Sequence, residues 1–258
     1  MLTMGIDMGI QNTKAVVFQD DKVVGKAVVS TGGMDRPRQA RKVYDEALKS
    51  AGINAGDIEK VVATGKGKYD IPFANEVFTE TITSARAAQY FYPDATAVMS
   101  VGADETLAAT LGENRLIGEF VLNQKCAAGL GTFLTYLAKR LGMNLEQVSA
   151  SDGPDAGIMN DGCVVFSELD ALSFLNNGAS KESIMASANK AAATRAATVL
   201  ADLTASFGDK VVLIGGLTKN SAFVSALEKT LGITLFVPDD AEYCGAIGAA
   251  ICGTKGLG

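Results

Sequence analysis

The sequence predicts an α/β protein built as two similar lobes with a cleft between them. Two observations carry this. A unit of strand, acidic glycine-bearing turn, hairpin strands and helix occurs twice, once from Leu2 and once from Ala97. The chain has 258 residues and is 48% hydrophobic and 20% charged, enough to bury a full core without the character of a disordered segment. The repeat is one of element order, not of residue identity. The lobes are expected at residues 1–95 plus 240–258 and at 96–239. Paired α/β units of this kind commonly bind small ligands where they meet.

The elements follow in order. Leu2 to Asp7 is a short apolar strand that ends in Asp7-Met-Gly9, and Thr13 to Phe18 and Val23 to Val29 are strands around the Asp20-Asp21 turn. Arg36 to Ala51 has helical spacing at Val43, Ala47 and Leu48, with Gly52 as its stop. Ile58 to Thr64 is a strand running into Gly65-Lys-Gly-Lys-Tyr69, and Thr81 to Tyr90 is a helix closed by Tyr92-Pro93. The theme then recurs. Ala97 to Val101, Leu107 to Leu111 and Leu116 to Leu122 are strands, with turns at Gly102–Glu105 and Glu113-Asn114. A helix with Phe133, Leu134, Leu137 and Leu141 on one side comes next, and Met143 to Gly162 is a loop-rich connection. Ser180 to Phe207 is a long alanine-rich helix. Val211 to Ile214 is a strand, Ser221 to Leu231 a helix, Thr234 to Val237 a last strand and Tyr243 to Cys252 a helix of small residues.

Composition excludes several classes. A net charge of −6 argues against a general nucleic-acid or membrane-surface binder. No apolar run is long enough to span a bilayer, and the first strand begins without a basic leader, so a cytoplasmic protein is expected. The chain has no histidine, which removes Ser-His-Asp and Cys-His catalysis and histidine-ligated zinc. Its four cysteines, in a reducing compartment, are thiols or metal ligands and not disulfides.

Two of those cysteines mark the chemistry. In Leu122-Asn-Gln-Lys-Cys-Ala-Ala-Gly-Leu-Gly-Thr-Phe-Leu134, Cys126 stands just before a helix start. There the positive end of the helix dipole favours a thiolate, the form that attacks or binds metal. Cys163 has a similar setting in Asn160-Asp-Gly-Cys-Val-Val-Phe166. Cys244 and Cys252 lie in the small-residue helix and are read as packing.

Three turns after strands supply further candidates. Asp7-Met-Gly-Ile-Gln-Asn-Thr-Lys14 sets a carboxylate at a strand end, where Asp7 can hold a hydrated Mg²⁺. Backbone N–H groups near Gly9, with Thr13 and Lys14, can hold phosphate oxygens; the plain alternative is a hairpin with a surface lysine. Gly102-Ala-Asp-Glu105 is the matching turn of the second lobe, and Asp104 or Glu105 is placed to orient an attacking water. Gly215-Gly-Leu-Thr-Lys-Asn220 lets backbone approach a flat ligand such as adenine. It is neither a P-loop nor a Gly-x-Gly-x-x-Gly fingerprint.

Together the three turns resemble the two phosphate motifs and the adenosine motif of the acetate kinase/sugar kinase/Hsp70/actin superfamily. Tyr243-Cys-Gly-Ala-Ile-Gly-Ala-Ala250 is similar to its closing connect helix, and Gly129 and Gly131 to the other connect helix. The return of the C-terminal helix to the first lobe is implied by this resemblance. The stretch around Cys126, with Cys163-Val-Val-Phe-Ser-Glu168, narrows the resemblance to the BadF/BadG/BcrA/BcrD ATPase family over essentially the whole chain. That family resemblance implies two actin-like, ribonuclease H-like lobes and MgATP, with phosphates also near Gly102 and Ala103 and the nucleoside near Gly215, Gly216 and Asn220. It implies one [4Fe–4S] cluster shared by two protomers, identical or homologous, each giving two thiolates that match Cys126 and Cys163. A cubane needs four. The resemblance also implies a ferredoxin-like donor and catalytic acyl-CoA subunits as partners. The dehydratase activators carry Gly-Gly-Gln-Asp at the second turn. Gly102-Ala-Asp-Glu105, with Phe91-Tyr-Pro-Asp94 upstream, is closer to the small ATPase subunits of benzoyl-CoA reductase, so the reductase reading is placed first. A dehydratase activator is the alternative, and a small-molecule kinase of the same fold is the reading from another class.

Overall fold

A computed structural model describes residues 1–33, 35–112, 117–123, 129–203 and 207–254. The chain divides into two compact units. One comprises Met1–Ala95, Leu111–Ile117 and Pro238–Gly258, and the other Thr96–Thr110 and Gly118–Val237.

The first unit is built on β1 (Leu2–Met8), β2 (Asn12–Gln19), β3 (Lys22–Ser30), β4 (Lys60–Thr64) and β5 (Glu76–Val77), in the sheet order β3-β2-β1-β4-β5. The first three strands are antiparallel neighbours, and β4 pairs parallel to β1 with Asp7 beside Thr64. Alternation along β1 and β2 sends Met4, Ile6, Met8, Ala15 and Val17 to one face. There they meet Ala40, Val43, Tyr44 and Ala47 of α1 (Arg36–Ala51). Asp35 caps that helix through the amide of Arg38, and Gly52 ends it with φ 69°.

The other face carries Gly5, Val16 and Phe18 against α8 (Cys244–Thr254). This contact is backbone on backbone. A Cβ at Gly5 would fall on the Ala246 carbonyl, and one at Gly248 would fall on the Thr83 carbonyl of α2 (Glu80–Phe91). Thus α8 lies between β1 and α2 with glycine at both contacts. Within this unit α8 crosses α2. Gly129 and Gly131, likened to the other connect helix, lie in the second unit and are described below.

In the second unit β6 (Ala97–Val101), β7 (Thr106–Leu111), β8 (Ile117–Leu122) and β9 (Val211–Ile214) form a sheet in the order β8-β7-β6-β9. β6 is antiparallel to β7 and parallel to β9. Met99, Val101 and Leu213 pack with Phe133, Leu134 and Leu137 of α3 (Leu130–Leu141) and with Ile184, Met185 and Leu200 of α6 (Lys181–Ala201). Phe223 and Leu227 of α7 (Ser221–Leu231) complete the core.

Several expectations change in detail. The loop-rich connection holds a short helix α4 (Leu145–Ser149), closed by a capping box between Asn144 and Gln147. A helix α5 (Val164–Asn176) starts just after Cys163, as the setting shared with Cys126 implies, with an extent that the sequence pattern does not mark. The alanine-rich helix stops at Ala201, and Phe207 lies outside it. Thr234–Val237 is not a strand: Phe236 alone bridges to Val212, taking one bond from the Leu213 amide and giving one to Val211.

Candidate functional site

Each unit carries one of the candidate turns at the carboxyl end of paired parallel strands, where α/β sheets bind ligands. In the first unit β1 delivers Asp7 and β4 delivers Gly65 side by side. The turn between β1 and β2 closes by the Gly9 amide donating to the Asn12 carbonyl at 3.1 Å. In the second unit the Gly102 amide donates to the Glu105 carbonyl at 2.9 Å, the same bond at the same place in the repeat.

The Asp7 centre is a packed charge cluster. Lys14 stands directly opposite Asp7 in the β1–β2 register and shares its face. Backbone hems the carboxylate in: a Cβ at Gly65 would lie 2.5 Å from Oδ1, and one at Gly245 would lie 2.7 Å from Oδ2. Gly65 has φ 88°, so a side chain there would strain the backbone as well. Burial pushes the Asp7 carboxyl above the ordinary carboxylate value; Lys14 lowers it, Glu80 raises it further and Lys68 lowers it.

Lys68 and Glu80 are residues that sequence reasoning did not single out. Lys68 Nζ bonds Glu80 Oε2 and the Gly65 carbonyl, each at 3.1 Å. Glu80 Oε1 is buried and has no hydrogen-bond partner among the described residues. The local signal for them is the lysine-glycine turn after β4. A glutamate at the first position of a helix is common, and only the fold brings it to Asp7.

The remaining first-turn candidates are placed differently. Thr13 is fully buried on the opposite face from Lys14, and its Oγ1 pairs with Thr31 Oγ1 at 3.0 Å. Thr31 in turn donates to the Gly9 carbonyl. The Thr13 hydroxyl therefore fastens the turn to β3.

In the second unit the structure brings the two other turns together. Ser100 pairs with Ile214, so Gly102 and Gly215 leave adjacent strand ends. Gly215 has φ 104°, and a Cβ there would fall on the Val101 carbonyl. Asp104 is exposed and Glu105 is half-buried. Gly216 opens a short 3₁₀ turn, Gly216–Lys219. Asn220 is fully engaged: Oδ1 accepts from the Phe223 amide as the cap of α7, and Nδ2 donates to Asn189 Oδ1 at 2.8 Å. Asn189 is itself buried and donates to the carbonyls of Val148 and Ser151.

The same region seats α3. Gly131 donates to the Gly102 carbonyl at 3.2 Å. The Thr132 amide and hydroxyl both donate to the Ala103 carbonyl at 2.9 Å. A Cβ at Gly129 would fall on the backbone of Ala103 and Asp104. The amides at the start of α3 are thus satisfied by the second turn and not by a capping side chain.

Cys126 lies outside the described residues. Cys163 is half-buried at the N-cap of α5, with its amide on Asn160 Oδ1 at 2.8 Å. Ser167, one turn on, donates to the carbonyls of Asn160 and Cys163. The helix it begins faces outward with apolar residues: Val165, Phe166, Leu169 and Leu172 are between 51% and 64% exposed. Cys244 and Cys252 are buried, and burial raises both thiols, Cys252 to about 11.

This arrangement fits a divalent cation with phosphate. A carboxylate in a glycine cradle and an orphaned carboxylate oxygen are acceptors that lack donors, and two lysines beside them are donors suited to phosphate. The described residues contain no group of three or more Asp, Glu, Cys or His side chains poised to bind metal without such a ligand.

Comparison with known proteins shows relatives along nearly the whole chain. The chain is 31% identical over 255 residues to the activator of lactoyl-CoA dehydratase from Anaerotignum propionicum, covering 97% of this chain and 96% of that protein. It is 29% identical to a benzoyl-CoA reductase subunit of Thauera aromatica, covering 98% and 93%. The solved activator of the 2-hydroxyisocaproyl-CoA dehydratase from Clostridium difficile, with bound ADPNP, superposes with a TM-score of 0.88 at 29% identity, over 97% of this chain and 93% of that one. The fold is therefore the actin-like α/β fold that the family resemblance implied. The profile of the BadF/BadG/BcrA/BcrD ATPase family matches residues 4–253, and the chain belongs to that family.

Proposed function

We propose that the chain is the ATP-hydrolysing activator of a 2-hydroxyacyl-CoA dehydratase, passing low-potential electrons to that partner. The observation that carries this is the superposition of nearly the whole chain on a dehydratase activator solved with an ATP analogue. It moves the dehydratase reading ahead of the reductase reading drawn from the second turn. The Gly102-Ala-Asp-Glu105 turn and the relationship to the Thauera aromatica reductase protein keep the reductase as the second reading.

In this function Asp7 orients the water shell of Mg²⁺. Lys14, with the backbone near Gly9, Gly102 and Ala103, holds phosphates. Asp104 or Glu105 positions the lytic water, and Gly215, Gly216 and Asn220 shape the nucleoside turn. Cys126 and Cys163 supply two thiolates, and a second protomer supplies two more, to a [4Fe–4S] cluster. Bound there, such a cluster would supply one-electron transfer at low potential, with a ferredoxin-like protein as the donor. The outward apolar face of α5, beginning at Cys163, supports a protein surface on this side of the unit.

The test is anaerobic purification followed by iron and sulfide analysis and ATP turnover with dehydratase catalytic subunits. The expected result is a brown protein with about two irons per chain, lost in Cys126→Ala and Cys163→Ala, whose ATP hydrolysis activates the dehydratase. Full iron retention in either variant overturns the ligand assignment. A colourless protein that phosphorylates a small acceptor overturns the function in favour of a kinase. Stable co-purification with reductase subunits favours the second reading.

A further inference from the structure

We infer that Lys68 and Glu80 are a second half of the Asp7 centre, a parked ion pair that nucleotide binding exchanges: Lys68 onto the terminal phosphates, Glu80 onto the water shell of the divalent cation. This rests on the ATPase reading and extends it to two residues outside the three turns.

The argument begins with placement. Lys68 leaves the Gly65–Gly67 turn, which is bound to the end of β1 by the Gly67 amide on the Met8 carbonyl at 2.9 Å. A Cβ at Gly67 would lie 2.6 Å from the Met8 side chain, so this turn is seated on the strand that carries Asp7. Glu80 begins α2, whose Thr83 Oγ1 meets Thr64 Oγ1 of β4 at 3.2 Å. Two separate elements therefore deliver a cation and an anion beside Asp7.

The pair is also inside the unit: the Lys68 side chain is 14% exposed and that of Glu80 25%. At such depth an unbalanced charge is costly, so each group needs a partner. The pairing is nonetheless incomplete. Lys68 uses one carboxylate oxygen and one backbone carbonyl, while Glu80 Oε1 is buried with nothing to accept from. An orphaned carboxylate oxygen is a place for a donor that arrives with a ligand. A hydrated dication brings such donors, and a polyphosphate brings the anion Lys68 needs once it leaves Glu80. The exchange keeps both buried charges compensated. The same two charges act on Asp7 already, Glu80 raising its carboxyl and Lys68 lowering it.

The experiment is titration calorimetry of the full protein with ADPNP, in Mg²⁺ and in EDTA, on wild type, Glu80→Gln, Lys68→Met and Lys68→Arg. Glu80→Gln keeps the shape of the side chain. It is expected to weaken binding about tenfold in Mg²⁺ and less than about twofold in EDTA, as loss of one charged hydrogen bond predicts. Lys68→Met is expected to weaken binding about 10- to 100-fold in both media, with Lys68→Arg within about threefold of wild type. A purely structural pair would lower thermal stability in all three variants without changing the Mg²⁺ dependence, and that result overturns the inference. If Lys68→Met does not fold, Glu80→Gln and Lys68→Arg decide alone. A wild type that binds MgADPNP with unaffected variants removes only this inference. A wild type that binds no adenine nucleotide removes the ATPase reading with it.

Discussion

The two turns of the repeat share a backbone bond but use it for opposite ends. Around Asp7 the turn is surrounded by charged side chains, and its glycine neighbours let backbone press against a carboxylate. Around Gly102 the carbonyls themselves are the working groups, holding the amides that begin α3. The first unit thus gathers charge at its turn. The second ties the start of a helix to its own.

That contrast can be broken at several points. The largest effect is expected from Gly248→Val, which puts side chain onto the Thr83 carbonyl and forces α8 off α2. It should cost about 4 kcal/mol or more and strip folded protein from the soluble fraction, measured by thermal denaturation. Next is Gly129→Ala, which drives a methyl into the backbone of Ala103 and Asp104. A loss of about 2–3 kcal/mol is expected, with ATP turnover falling alongside because the turn itself is displaced.

Asp7→Asn sharpens the comparison, since it removes charge and little volume. ATP turnover should fall about 100-fold if Asp7 orients the cation's water. Stability should move the other way. The native carboxyl titrates above its ordinary value of 3.8, so the folded chain keeps a proton that the unfolded chain has lost. Wild-type stability therefore falls as pH rises through that window. The melting advantage of Asp7→Asn should be full above the window and vanish below about pH 3.8. The smallest effect is expected from Thr132→Val, which removes one of the two bonds to the Ala103 carbonyl. It should cost about 1 kcal/mol and speed hydrogen exchange at the start of α3, leaving the Asp7 centre unchanged.

Much of the fold was legible because it rests on local pattern. β1 to β3, α1 and α7 follow from alternation, helical spacing and terminating glycines at 52 and 232. The hairpin that carries Asp7 and Lys14 was legible, while their direct cross-strand pairing depends on a register the sequence did not specify. The start of α5 at Cys163 was legible, but its extent was not, for a physical reason. Its buried positions are Ser167 and Ala171, while Val165, Phe166, Leu169 and Leu172 face out, so the usual phase of an amphipathic helix is absent. Phe236 reads as part of a strand but is followed closely by Pro238, and a single bridge forms. Lys68 and Glu80 could not be joined from sequence, because twelve positions and a strand separate them. The glycines at 129 and 131 were recognised as sites of close approach, but a sequence does not say which backbone approaches.

One consequence concerns the order in which the protein is made. β1 needs α8 against it, yet Gly5 and Gly248 are 243 positions apart, so the ribosome must add all the intervening residues before the two can meet. At roughly 5–20 residues per second, β1 waits on the order of 10–50 s for the helix that covers its second face. The 118–237 segment of the other unit is complete before α8 exists. The nascent chain therefore carries an unfinished sheet face throughout that interval, a natural substrate for chaperones.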